Sequence, residues 1–238
     1  MQGVMERRLV PAVAILALSS GVLAQQKADS KPDDGQAAAA HKVMDAMADH
    51  HMHNTPHLRF TMRAPERPGD RARAEAIVAA LRPALEPYRD YRAAQRDGYE
   101  IFLPNVRQPM YHFTNYLKGF VETFEFRPSQ PTALLYTKMA GGFNLVGAMY
   151  TAPADQTEID LDARVPLSVA RWHAHVNICL PKLGAAAATD WSTFGPSGSI
   201  STAQACAAAS GRFFPQLFGW MVHVYPFEKT TERIWGTD

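Results

Sequence analysis

Between residues 173 and 180 apolar and polar side chains alternate. His173, His175, Asn177 and Cys179 hold one parity; Ala174, Val176, Ile178 and Leu180 hold the other. An extended chain sends successive side chains to opposite faces, so this pattern predicts a half-buried β-strand. Residues 221–227 repeat the pattern, with Met221, His223 and Tyr225 set against Val222, Val224 and Pro226. Runs rich in aromatic and branched residues at 111–116, 121–126, 133–138 and 144–151 predict four further strands. Gly141-Gly142 between the last two predicts a hairpin. The period changes earlier in the chain. Ile77, Leu81 and Leu85 recur every four residues behind Asp70, which is the spacing of one helical face behind a capping residue. Pro83 should kink or end that helix, and Pro87 suits the first position of a second one running through Tyr88, Tyr91 and Ala94 to Gly98. A helical turn is expected at 166–171. Residues 182–210 read as a long insert, rich in Gly, Ala, Ser and Thr, with one short helix near 201–209. The expected class is α+β, with N-terminal helices packed on a mostly antiparallel β-sheet.

The first 24 residues change how the rest is read. Arg7 and Arg8 form a short basic region, residues 9–18 are almost all apolar, and Val22 and Ala24 set small residues before a cleavage point. These are the parts of a secretory signal peptide, so export to the periplasm or beyond is expected. Residues 25–69 then read as a mobile segment containing His and Met, and 70–238 as a single α+β domain. Removing Arg7, Arg8 and Glu6 from 24 basic and 23 acidic residues leaves a balance of zero. Neither nucleic acid nor an anionic membrane is an expected partner, since both call for a basic surface. No later run is long and apolar enough to span a bilayer. Export also makes a disulfide the simplest expectation for the two cysteines, Cys179 and Cys206. The competing reading makes Cys179 a metal ligand.

The chain has nine histidines. On an extended strand His173 and His175 project to one face, roughly 6–7 Å apart at Cα, a gap that an ion at about 2.0–2.1 Å from each nitrogen can bridge. A third ligand must come from a neighbouring strand. His223 is the candidate, because its strand follows the insert and can pair antiparallel with 173–180. Three imidazoles from a sheet would leave an open coordination position. A metal-free hydrogen-bonded network and metal-free acid–base work are the alternatives. His112 reads as a fourth ligand, a support for the others, or a buried histidine bonded to backbone. Met221 shares parity with His223; a thioether ligand would favour copper, whereas packing is the more ordinary role for Met. Asp190, Glu228 and Glu232 are candidate general bases or solvated charges. Five histidines, His41, His50, His51, His53 and His57, crowd the N-terminal segment, and Asp49-His50-His51-Met52-His53, with Met44 and Met47 before it, has the composition of a metal-scavenging tract or of a solvated tail.

Several signatures are absent or incomplete. There is no H-E-x-x-H, no P-loop, no dinucleotide fingerprint and no C-x-x-C-H. Gly195-Pro196-Ser197-Gly198-Ser199 misses the G-x-S-x-G elbow at its last position. One resemblance does emerge from Asp97-Gly98-Tyr99, Tyr111-His112-Phe113-Thr114-Asn115, Leu134-Leu135-Tyr136 and Leu145-Val146-Gly147-Ala148-Met149-Tyr150. In their order these segments resemble a loose family of exported bacterial proteins of uncharacterised activity. The resemblance implies no reaction. It singles out His112 and Asn115, and this chain departs from the family pattern in having Gln95-Arg96 before Asp97 and Phe113 where Tyr is frequent.

The sequence therefore leads to an exported metal-binding protein, copper favoured over zinc, using His173, His175 and His223 with His112. Two alternatives stand beside it. One is a metal-dependent enzyme activating water or oxygen at that open site, with a small-molecule pocket lined by Phe113, Trp172 and Tyr225. The other is a metal-free ligand-binding or interaction module.

Overall fold

Gly141 adopts a positive φ of 86° and turns the chain between two long antiparallel strands, β4 (Ala133–Met139) and β5 (Gly142–Ala152). This is the hairpin expected from the glycine pair. In the computed structural model, which describes residues 56–104, 108, 110–182 and 189–236, that hairpin is the centre of a seven-stranded sheet. The expected leader, the tether after it and the tract around His50, His51 and His53 lie outside the described residues. The other strands are β1 (Leu58–Phe60), β2 (Glu100–Ile101), β3 (Tyr111–Thr114), β6 (His173–Leu180) and β7 (Arg212–Val224). Their order is β1-β6-β7-β5-β4-β3-β2, and every neighbouring pair is antiparallel. The helices are α1 (Asp70–Leu85), α2 (Tyr91–Arg96), α3 (Tyr116–Phe124), α4 (Glu158–Arg164), α5 (Ala203–Ala208) and α6 (Thr231–Trp235). The protein is α+β, as the periodicity predicts.

One face of the sheet carries the main core. Ala74, Ile77, Val78, Leu81 and Leu85 of α1 pack with Phe113, Leu134, Tyr136, Tyr150, Trp172 and Val222. The four-residue spacing of α1 buries one stripe, and the alternation of each strand supplies the opposing residues. Pro83 sits within the last turn of α1, and Pro87 opens a 3-10 turn over Glu86–Arg89 instead of a full helix. Gly69 occupies the cap position. Asp70 is buried inside the helix, where it accepts bonds from the Arg67 amide and the Ser168 hydroxyl at 3.0 and 2.7 Å.

Two boundaries differ from the expected ones. Residues from 56 onward belong to the folded domain, because β1 pairs with β6 through Leu58↔His175 and Phe60↔His173. Residues 121–126, expected as a strand, lie mostly in α3. The Asn115 side chain caps that helix by accepting from the Lys118 amide at 2.9 Å. The apolar side chains of the helix point outward, with Tyr116, Leu117, Phe120 and Phe124 exposed and Glu122 buried, while Phe126 beyond it packs on the core. α4 was not anticipated; Thr157 and Asp160 form a capping box at its start.

Cys179 of β6 and Cys206 of α5 form a disulfide with Cα atoms 5.6 Å apart. It ties the insert to the sheet. Gly211 lies against it, where a Cβ would come within 2.5 Å of the Cys179 sulfur. No helix among the described residues is long and apolar enough to cross a membrane.

Candidate functional site

Directly paired residues of neighbouring strands share a face. The register His112↔Leu135, Met149↔His223 and His173↔Met221 therefore gathers three histidines and two methionines on the face opposite α1. Met110, Ala133, Leu135, Met149, Met221 and Tyr225 form the small apolar cluster of that side. The face is concave. Phe102, just after β2, meets Phe218 of β7 with ring centres 5.8 Å apart, although β3, β4 and β5 lie between them in the sheet. The same curl brings His112 of β3 to His223 of β7. Three strand spacings are about 14 Å across a flat sheet, yet the two Nε2 atoms stand 3.4 Å apart.

The remaining histidines extend this pair. The His173 ring lies 5.1 Å from that of His223, and the His175 ring 5.8 Å from that of His173. The alternation expected for 173–180 is interrupted here, by a register shift between His173 and His175 and by a positive φ at Asn177. The two imidazoles remain neighbours in spite of it. Phe60 of β1 borders the group, with its ring 6.0 Å from His173.

Hydrogen bonding separates the members. Both ring nitrogens of His173 and the Nδ1 of His175 are buried with no hydrogen-bond partner. A buried polar atom left in this state costs about 1–3 kcal/mol. Burial pushes the pKa of His112 and of His175 down to about 4, helped by the nearby His175 and His57 rings respectively, and drives His173 well below the usual imidazole value. Besides burial, the groups that shift these three are other histidines and not carboxylates. At neutral pH all three are neutral imidazoles, the form that can present a lone pair.

What such a group can hold follows from distance. Two nitrogens each about 2.0–2.1 Å from a tetrahedral ion are about 3.3–3.4 Å apart. The His112–His223 separation of 3.4 Å fits that edge. Among the described residues no three His, Cys, Asp or Glu side chains are already arranged to hold a metal ion. Completing a three-ligand set from this pair requires the His173 or His175 ring to turn toward it.

Other expected site residues fall elsewhere. Cys179 is in the disulfide and is no ligand. Asp190 accepts bonds from Ser192 and Thr193 in a turn, Glu228 pairs with Arg233 at 3.0 Å, and Glu232 is exposed on α6. None borders the histidines. The expected pocket between Phe113, Trp172 and Tyr225 does not exist as one surface. Phe113 and Trp172 are in the core against α1, whereas Tyr225 is on the opposite face. Phe113 follows His112 by one residue, so the same alternation that places one on the concave face sends the other away. A cleft of about 110 Å³ lies between α1 and α6, lined by Arg71, Glu75, Val78, Arg82, Thr231 and Trp235, far from the imidazoles.

His57, expected in the mobile segment 25–69, is a buried brace. Its Nε2 lies 2.7 Å from the Gly198 carbonyl and its Nδ1 3.1 Å from that of Asn177. Met110 and Met149 were not singled out. Met110 shares parity with His112 and was detectable; Met149 became visible only through its register with His223. No protein-family model, no curated protein and no solved structure matches this chain.

Proposed function

We propose that this chain is an exported metal-binding protein that holds one copper ion, in preference to zinc, among His112, His173, His175 and His223. The observation that carries the reading is the meeting of buried and half-buried imidazoles from three strands, with two Nε2 atoms 3.4 Å apart and both nitrogens of His173 without a partner. Such atoms are costly to bury unless something binds them. An ion would supply a Lewis-acid centre and take up those lone pairs. The chain's own part is to present neutral imidazoles from rigid strands and to keep the face dry with Leu135, Met149 and Met221. The leader-like first 24 residues and the Cys179–Cys206 disulfide support export.

Titration of the metal-free full chain with copper and with zinc, followed by gel filtration and metal analysis, tests the reading. Retention of about one copper per chain is expected. Failure to retain either ion would leave a buried network of neutral histidines and overturn it.

A further inference from the structure

Resting on the metal-binding reading, we infer that the centre is built for monovalent copper, Cu(I), with the thioethers of Met149 and Met221 joining the imidazoles as ligands. Two independent observations lead there. The first is charge. The buried carboxylates among the described residues are Asp70 and Glu122. Asp70 is held by Arg67 and Ser168, and Glu122 by Thr132 and Thr151. Neutral imidazoles and thioethers carry no charge, and the bonds that hold these two carboxylates go to Arg67, Ser168, Thr132 and Thr151. The ligand set is thus neutral. The cost of burying an ion grows with the square of its charge, so a divalent ion pays about four times the desolvation of a monovalent one, with no anion to offset it.

The second observation is the placement of sulfur. Met149 is the register partner of His223, and Met221 is that of His173 and lies two residues from His223 on the same strand. Both are nearly fully buried on the concave face. Met110 differs, because its sulfur already accepts a bond from the Tyr225 hydroxyl at 3.7 Å. Thioethers are soft ligands that favour Cu(I) and contribute little to zinc. A face that needed only apolar filler would be served by Leu or Val, which specify packing better than Met. Thioethers beside both core histidines, without any carboxylate, suit a soft monovalent ion.

Competition on the full chain tests this. Metal-free protein is loaded under ascorbate without oxygen, and Cu(I) is withdrawn with bicinchoninate; Zn(II) is measured in parallel with a zinc chelator. Cu(I) should be held at least about a hundredfold more tightly than Zn(II). The Met149→Leu/Met221→Leu variant keeps the volume of the face. It should lose about 10–100-fold in Cu(I) affinity, as supporting ligands do, while its zinc affinity stays within about twofold. X-ray absorption at the copper edge should show a sulfur scatterer that this variant lacks. Zinc bound as tightly as Cu(I), or an unchanged Cu(I) affinity in the variant, would overturn the inference and leave the metal-binding reading standing. Retention of neither ion would overturn both.

Discussion

The two faces of the sheet bury residues of very different chemistry, a large apolar core against α1 and a small cluster of methionines and histidines on the other side. Against α1, the polar atoms that enter the core mostly find partners. The hydroxyls of Tyr99, Tyr136 and Tyr150 donate to the carbonyls of Pro131, Tyr88 and Pro128 at 3.1, 2.6 and 2.6 Å. Among the described residues the exceptions outside the histidines are the indole N–H groups of Trp172 and Trp220 and one Glu122 oxygen. On the concave face the proportions reverse. His173 is as deeply buried as Trp172, yet both of its nitrogens lack a partner, and His175 adds a third such atom. The first face is organised for stability alone. The second carries a free-energy cost that a bound ligand would offset, which is how a site differs from a core.

The largest effect expected from this contrast is on binding. Replacing His173 and His223 together with Ala should abolish stoichiometric copper retention; a double variant that still holds one equivalent would break the contrast. Next in size is the disulfide. Replacing Cys179 and Cys206 with Ala should lower stability by about 3–4 kcal/mol in denaturant unfolding, through a loop of about 28 residues. Metal retention should survive wherever that variant is folded, since neither sulfur is a ligand.

Acid should act on the metal-free chain through the concave face. His112 and His175 are depressed to about 4 and His173 further, from about 6.5 in the unfolded chain. Their stabilising contribution is present above about pH 6.5 and is lost as pH falls through 4. Glu122 works in the opposite sense. Burial raises its carboxyl to about 7 against 4.5, so its contribution is full at low pH and fades as pH rises toward 7. Three groups outweigh one, and urea unfolding of the metal-free protein should show stability falling between pH 6.5 and 4. Glu122→Gln, which removes the opposing group, should steepen that fall.

The smallest effects sharpen the contrast most. Tyr136→Phe deletes a satisfied hydrogen bond on the α1 side and should cost about 1 kcal/mol. His173→Leu deletes two unsatisfied nitrogens and should stabilise the metal-free chain by about 1 kcal/mol or leave it unchanged, while weakening metal binding. Equal losses in thermal unfolding would mean that the two faces are not different in kind.

Much of the concave face can be read along the chain because strand alternation is a local signal. The parity of His173, His175 and His223 follows directly from it, whereas the antiparallel pairing of their strands is a matter of tertiary structure that alternation leaves open. The entry of His112 beside His223 depends on the curl of the sheet over three strand spacings, which no local period encodes. α3 misleads for a related reason. Its aromatic residues resemble strand composition and mask a helical spacing of four in Tyr116, Phe120 and Phe124, a stripe that the helix turns outward while it buries Glu122. β1 is only three residues long and lies among prolines; its identity comes from pairing with β6. The segments singled out by motif in the sequence divide in the structure. Tyr99, Asn115, Tyr136 and Tyr150 make hydrogen bonds that hold the fold, whereas His112, Leu135 and Met149 lie on the face of the histidine cluster.

The most direct measurement is the metal content of the full chain purified from the cell envelope without chelator, beside the His173→Ala/His223→Ala variant prepared identically. About one copper per chain in the first and none in the second is the expected result. A wild-type chain without metal, even after incubation with copper under reducing conditions, would contradict the central claim and return the four histidines to the role of a costly but empty network.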